Sequence, residues 1–555
     1  MSWHGRACWN ISWAVGTSDK ENIGRPVVSG ERVSKKRWIL VAAVLGSGIV
    51  FLDSTVVNVA LPRIGRDLPR TFLGVLEGQS YVYNAYLLTL SALLILAGAL
   101  NDYYGRKRMF LVGLLGFGAT SVLCGLAPTM ELLVLFRVLQ GAAGAMLVPG
   151  SLALITTNFS GEEQGRAFGL WAGASGLTTI LGPLVGGLLV DTISWRVAFL
   201  INVPLIAVAA WATWTHVGES RNEEASPHFD WIGAGIVALA VGGLAFGTIY
   251  GQQREWRDPA GFVAIGVGVV ALVGLPLWMM RSQHPLIPLG LFRSRNFAVT
   301  NLSTLLIYGA LYVTFYYIAL FQQGTLGYTA AAAGAAGIPG SLFLIFLSPR
   351  FGALSAKYGP RWFMAVGPVI MALGLLWIAR VPANSVPWKL KPGDPSSYIP
   401  SLSWATDFLP GSILFGLGIC MLVAPLTTAL MTSVPARNSG LGSAINNAIS
   451  RVGPQLAGAL IFIFLTANFY AQLASRLTGV DVSSTTFRNR VSPLNTPPDP
   501  TLVGVVRDAS TSSFQIAMLI GAALLLTGAL VNAIGIRNAA AQKKEPAEAA
   551  PAAAT

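Results

Sequence analysis

Fourteen predominantly apolar stretches recur along this chain, near 38–61, 78–100, 109–127, 131–157, 166–190, 197–216, 231–251, 260–280, 297–322, 332–356, 362–381, 408–432, 441–469 and 514–536. An apolar run of about 18 residues or more reads as a helix crossing the roughly 30 Å hydrocarbon core of a bilayer. Charged residues make up only 11% of the chain and hydrophobic ones 53%, whereas soluble domains carry about 25% charge. That is too little charge to coat the surfaces of several soluble domains. The 61 glycines and 31 prolines are tolerated in membrane helices, where small residues let backbones approach. The expected fold class is an all-α polytopic membrane protein.

An even number of spans puts both termini on one side. Placing them in the cytoplasm leaves most Lys and Arg on inner connections, in keeping with the positive-inside bias, although Arg63, Arg66 and Arg70 in the first outer loop run against it. The excess of 37 Lys+Arg over 24 Asp+Glu is therefore read as topology, with no nucleic-acid partner. Cys8, Cys124 and Cys420 are scattered and odd in number, so neither a disulfide framework nor metal spacing follows. Residues 1–37 lack an apolar core ending in a small-residue cleavage site and read as a polar cytoplasmic tail. Two long outer loops, near 382–407 and 470–512, are rich in Pro, Ser and Thr. Residues 537–555 have the composition of a disordered tail.

An internal repeat organises the rest. "GALNDYYGRKR" from Gly98 has an echo in "GALSAKYGPRW" from Gly352, and "LGPLVGGLL" from Leu181 has one in "VGPQLAGAL" from Val452. A weaker pair is "AMLVPG" from Ala145 and "CMLVAP" from Cys420. The echoes fall in spans two and ten, five and thirteen, and four and twelve. They predict a six-helix bundle over 38–216, two extra helices with linkers over 217–296, and a second six-helix bundle over 297–536. Duplicated halves around a central cavity are the build of many secondary transporters.

These motifs together resemble the major facilitator superfamily, in particular its 14-span drug:proton antiporter branch, over roughly residues 38–536. "GALNDYYGRKR" resembles the signature between spans two and three, G-x-L-x-D-(R/K)-x-G-(R/K)-(R/K), through Gly98, Leu100, Asp102, Gly105, Arg106 and Lys107; Tyr103 departs from it. "LDSTVVNVALPRIGRDL" from Leu52 resembles the first-span signature of that branch, and "RVLQGAAGA" from Arg137 the fourth-span signature. Gly182, Pro183, Gly186 and Gly187 resemble the fifth-span motif linked with antiport, and "SWRVAFLINVP" from Ser194 is typical of the branch. The resemblance implies two pseudo-symmetric six-helix bundles plus two inserted helices, and efflux coupled to protons.

Asp53 is the acidic residue placed well inside a span. A carboxylate at the bilayer centre costs roughly 2.5–3.5 kcal/mol, and such residues tend to face a cavity and carry function. Removing a carboxylate from water favours its protonated form, so Asp53 is a candidate proton carrier; a structural polar contact is the alternative. Arg137 comes out at a similar depth, so the two either exchange protons or form a structural ion pair. Asn301, Tyr308, Tyr312 and Phe315 share one face of span nine. That face suits flat amphipathic molecules by stacking and cation–π contact, or else ordinary helix packing. Asn58 joins this candidate binding set, with a structural role as its alternative. Arg451 is an interior charge open to either a structural or a binding role.

Proline weakens a helix and the glycines beside it admit a neighbour, so the segment around Gly182 and Pro183 is expected to flex or to seal against the other half. Asp102 and Arg106 lie where partial charges of helix ends collect. They are expected to latch a helix N-terminus of the opposite bundle, with Gly98 and Gly105 allowing close approach and Lys107 beside them.

The function these residues point to is export of amphipathic small molecules or drugs across the cell membrane by alternating access, driven by a proton gradient with no cofactor or metal, by a monomer in the lipid bilayer. The alternatives are an exporter of a specific metabolite, lipid or siderophore on the same fold, a membrane-embedded enzyme, or a receptor. The histidines His4, His216, His228 and His284 lie at span ends or in loops, and no phosphate-binding loop is present to couple ATP.

Overall fold

The computed structural model of the protein describes residues 29–69, 75–221, 229–253, 258–391, 393–477, 480–497 and 499–538. Among these residues every regular element is helical. The first half comprises α1 (Ser29–Asp67), α2 (Val75–Tyr104), α3 (Arg106–Gly125), α4 (Met130–Ala145), α5 (Leu147–Asn158), α6 (Gly161–Thr192), α7 (Val197–Leu200) and α8 (Asn202–His216). Then come α9 (Trp231–Gln253), α10 (Pro259–Arg281) and the short α11 (Gly290–Arg293). The second half comprises α12 (Arg295–Leu320), α13 (Ala330–Ala336), α14 (Ile338–Tyr358), α15 (Arg361–Ile378), α16 (Leu402–Asp407), α17 (Leu409–Thr432), α18 (Ser439–Arg476), α19 (Thr485–Arg490) and α20 (Val503–Gly535).

Thirteen helical segments among the described residues are long and apolar enough to cross a membrane. The expected fifth span coincides with α6, whose 32 residues extend about 48 Å at 1.5 Å per residue. Local chemistry sets the breaks. Pro149 has no N–H to offer the Ala145 carbonyl, and the fourth span divides there into α4 and α5. Thr129 caps α4 by accepting from the Leu132 amide, and Asp258 caps α10 by accepting from the Ala260 amide, with Pro259 in the first turn.

Two expectations are corrected. Residues 29–37 belong to α1 rather than to a polar tail, because their Lys and Arg are good helix formers; residues 1–28 and 539–555 lie outside the described residues. The expected outer loop 470–512 is largely helical, since α18 runs on to Arg476, α19 lies within it and α20 begins at Val503. Ser484 caps α19 by accepting from the Phe487 amide, so Ser-rich composition marked a helix start there.

The helices form two bundles. In the first, α1 packs on α2, α5, α6 and α8, and α3 on α4, α5 and α8. In the second, α12 packs on α18 and α20, α14 on α17, and α15 on α17 and α20. The bundles meet along two seams, α2 with α18 and α6 with α14. The inserted pair is zipped by glycine: a Cβ on Gly243 would lie 2.9 Å from Gly268 Cα, and one on Gly247 2.7 Å from the Gly261 carbonyl oxygen. Through α9 this pair rests on both α2 and α18 and so covers one seam from the side.

Candidate functional site

Five helices of the first bundle converge on Asp53. Its carboxylate is ion-paired with Arg137 of α4 and accepts from Gln140 Nε2 at 3.1 Å and Asn202 Nδ2 at 3.0 Å. Arg137 also donates from Nε to the Val82 carbonyl of α2 at 3.0 Å and to Gln140 Oε1 at 2.7 Å. Its guanidinium lies over the Tyr86 ring, 4.1 Å from the centroid. Gln140 donates in turn to Ser121 Oγ of α3 at 2.9 Å. Asp53, Arg137, Gln140, Asn202 and Ser121 are all fully buried. The expectation that Asp53 faces a cavity is therefore corrected: it is sealed in the bundle interior, because three donors meet its charge locally and α6 closes over the next turn of α1. Two buried atoms of the cluster, Arg137 Nη2 and Asn202 Oδ1, have no partner.

That closure is what Gly182 and Gly186 provide. A Cβ on Gly186 would sit 2.9 Å from Val56 Cγ1, and Gly182 abuts Thr55. These glycines lie four apart on one helix face and dock α6 on α1 of the same bundle; of the two expected roles, flexing or sealing against the other half, the second is not what this face does. The side chains at Pro183, Gly187 and Asn58 lie outside the described residues, although their backbones are helical.

Asp102 ends α2 at the first seam. It accepts from Gly440 N at 3.1 Å and Leu441 N at 2.8 Å, amides in the first turn of α18. Arg106 donates to the same carboxylate from Nε and Nη2 at 3.0 and 2.8 Å, and from Nη2 to the Ala436 carbonyl at 2.6 Å. The free amides at a helix N-terminus carry partial positive charge that favours a carboxylate. Gly98, one turn earlier, makes the approach possible: a Cβ there would fall 2.5 Å from the Gly440 carbonyl oxygen. Gly105 turns the chain at φ 111°, in a region that side chains disfavour. The Arg106 amide donates to the Ser220 carbonyl at 2.9 Å and the following two, of Lys107 and Arg108, to the Glu219 carboxylate at 3.1 Å each, while Lys107 Nζ reaches the Trp214 carbonyl at 2.8 Å. The second seam is made by Gly165 against the Gly352 carbonyl and Gly169 against Pro349, whose Cα would lie 2.5 Å from a Cβ on that glycine.

Beyond the seams Tyr312 of α12 lies near Tyr83 of α2 and Arg451 of α18 yet keeps much of its surface accessible, which leaves a gap between the halves there. Tyr308 and Tyr312 of α12 pair at 6.1 Å, and Tyr312 keeps 46% of its surface accessible. Phe315, 47% accessible, packs edge-on against Phe415 of α17 at 5.2 Å. Asn301 is placed differently from these aromatics. It donates to the Phe297 carbonyl and accepts from Asn446 of α18 at 3.2 Å, buried between the two helices. Arg451 of α18 and Tyr83 of α2 border the gap near Tyr312.

Sequence reasoning brought Asp53 to Arg137 and Asp102 to a helix end, but missed Gln140, Asn202, Ser121, Glu219 and the α6 glycines facing α14. Gln140 follows Arg137 by three residues and so shares its face, and Asn202 is an amide within an apolar run; both signals were present. Glu219 and Gly165 carried none, since their partners are remote in sequence.

Comparison with known proteins follows the same lines. A family model described as Major Facilitator Superfamily matches residues 43–459. The chain is 32% identical to the multidrug resistance protein Stp of Mycobacterium tuberculosis over 440 residues, covering 79% of this chain and 77% of that one. It is 33% identical to the puromycin resistance protein pur8 of Streptomyces alboniger, covering 80% and 84%. It is 29% identical to the multidrug export protein EmrB of Haemophilus influenzae, covering 79% and 82%. Among solved structures, the human organic anion transporter MFSD10 superposes with a TM-score of 0.56 at 12% identity over 90% of this chain and 99% of that one. The proton:xylose symporter XylE gives 0.53 at 14% identity over 90% and 95%. At such identity these two show the fold.

Proposed function

The chain belongs to the Major Facilitator Superfamily, a family of transporters rather than enzymes, and from that premise we propose that it exports amphipathic small molecules, including drugs, in exchange for protons. The observation that carries the reading is the one-sided contact between the halves: backbone-close seams at the ends of α2 and α14, and an aromatic gap beyond them. In alternating access such a conformer is closed on the seam side and loads or releases on the other. The names of the drug-resistance relatives support export as the direction and drugs as the cargo. The positive-inside bias supports a cytoplasmic position for the seams.

Asp53 is the proton carrier in this scheme. Asp53 and Asp102 are the buried carboxylates among the described residues, and Asp102 is engaged at a helix end. A proton on Asp53 cancels its charge and leaves Arg137 as an uncompensated buried cation. Breaking a buried pair in this way costs about 3–5 kcal/mol, ample to move a two-state equilibrium. Arg137 holds α2 through the Val82 carbonyl and the Tyr86 ring, and α2 also carries Asp102. The load is thereby passed to the seam without Asp53 touching cargo.

Reconstituted in liposomes, Asp53→Asn is expected to lose substrate-driven proton movement while still binding substrate and staying folded. Proton-coupled transport persisting in that variant would falsify the assignment of Asp53. For the orientation, single cysteines at Ser397 and Ser484 in a cysteine-free background should react with an impermeant thiol reagent outside intact cells, and one at Ser220 should not. Labelling of all three would overturn it.

A further inference from the structure

Every buried carboxylate of the described membrane helices has a cationic partner: Asp53 has Arg137 and Asp102 has Arg106. Arg451, half-buried in α18, is a cation without a carboxylate partner among the described residues. It sits 12 residues into α18, about 18 Å along a helix rising 1.5 Å per residue, near the middle of a core about 30 Å thick. Among the described residues it makes neither an ion pair nor a hydrogen bond, and its guanidinium lies 5.9 Å from the Phe51 ring centroid of α1, across the gap.

The direction of Arg451 is set by packing. Asn446 joins α18 to Asn301 and Thr304 of α12, and a Cβ on Gly453 would lie 2.6 Å from the Leu305 carbonyl oxygen, so that face is fully occupied by α12. At 100° per residue, Gly440, Ala444 and Arg451 fall within about 40° of one another on a different face. Gly440 and Ala444 press on Gly98 of α2. Where the same face continues past the seam, it presents Arg451 to the gap, half-buried, near Tyr83, Tyr86 and Tyr312.

We propose that Arg451 makes this gap a binding site for amphipathic organic anions, with an aromatic carboxylate or sulfonate pairing with the guanidinium while its ring lies among Phe51, Tyr83 and Tyr312. The proposal rests on the export reading and narrows its cargo. A half-buried cation without a counter-charge raises the local concentration of anions and rejects cations. Guanidinium also fits a carboxylate or sulfonate through two parallel hydrogen bonds, and the rings supply the apolar wall. The Asp53–Arg137 cluster does not cancel this field, because it is itself a neutral pair.

The test uses two xanthene dyes of opposite charge, fluorescein as the anion and rhodamine 6G as the cation, with purified full-length protein. Binding is read by fluorescence polarisation in detergent and transport in liposomes. Wild type is expected to prefer fluorescein by tenfold or more. Arg451→Gln should weaken fluorescein binding at least tenfold and leave rhodamine 6G equal or better, Arg451→Lys should keep most of the preference, and Arg451→Glu should invert it. A matching melting temperature for Arg451→Lys and Arg451→Gln separates binding from folding. If wild type binds and moves rhodamine 6G but not fluorescein, export stands and the anion site is overturned. Fluorescein binding unchanged in Arg451→Gln, or binding of neither dye, overturns it as well. Binding of fluorescein without any transport would uphold the site and count against export.

Discussion

The two seams are unequal copies of one another. "GALNDYYGRKR" ends α2 and "GALSAKYGPRW" ends α14. Each brings a glycine, Gly98 or Gly352, against the backbone of a helix from the other half, and each turns on a glycine with positive φ, 111° at Gly105 and 88° at Gly359. Each following helix is also capped from the end of its own half. Glu219, after α8, accepts from the Lys107 and Arg108 amides, and Asn538, after α20, accepts from the Arg361 amide at 3.1 Å. Even the basic side chain is shared, as Lys107 Nζ reaches the Trp214 carbonyl and Arg361 Nε the Ala533 carbonyl at 2.8 Å. The charge is where they part: Asp102 is answered by Ala356 and Arg106 by Pro360. Close approach and capping are needed wherever two helices meet end-on, so both copies keep them. Among the described residues the buried carboxylate–guanidinium contact stands at the α2–α18 seam and has no copy at these positions of the other.

The largest effect should come from the feature the seams share. Gly98→Val and Gly352→Val each push a side chain into a backbone contact, at about 1–3 kcal/mol of overpacking. Both are expected to hold the halves apart and cut transport tenfold or more in liposomes. Normal transport in Gly352→Val would mean that the second seam does not have to close.

Charge is the next lever. Asp102→Asn keeps the shape and weakens the hold on the α18 N-terminus by about 0.3–1 kcal/mol, or up to about 2 where partly buried. The population open on the seam side should rise several-fold, read as the distance between labels on the ends of α5 and α17. Ala356→Ser should leave that distribution unchanged. A shift of equal size in both variants would erase the distinction between the seams.

The caps should matter less. Glu219→Gln makes the first cap resemble the second and removes a carboxylate from the α3 N-terminus, an effect of about 0.3–1 kcal/mol. Melting should fall by a degree or two, and Asn538→Asp should raise it comparably. The smallest change is expected at the exposed Lys36–Glu163 pair joining α1 to α6. Lys36→Ala there should alter stability by less than about 1 kcal/mol, and a larger loss would mark a third element of the closed state.

The sequence by itself determined the spans, the duplication and the two carboxylates singled out within them. Each of these follows from local arithmetic: apolar length against bilayer thickness, repetition along the chain, and the cost of placing charge among apolar residues. Only the tertiary structure decided where those charges face. Asp53 was legible as an interior carboxylate, yet its burial away from the gap depends on Gln140, Asn202 and Ser121 arriving from three other helices and on Gly182 and Gly186 closing α6 over α1. Asn301 shared a helical face with Tyr308 and Tyr312, but Asn446 of α18 claimed it. Arg451 could be placed in a span from the sequence, whereas its lack of a counter-charge emerges only once every other buried charge has been paired across helices. Helical periodicity records which side chains share a face, and packing between remote segments decides which face meets protein and which meets the gap.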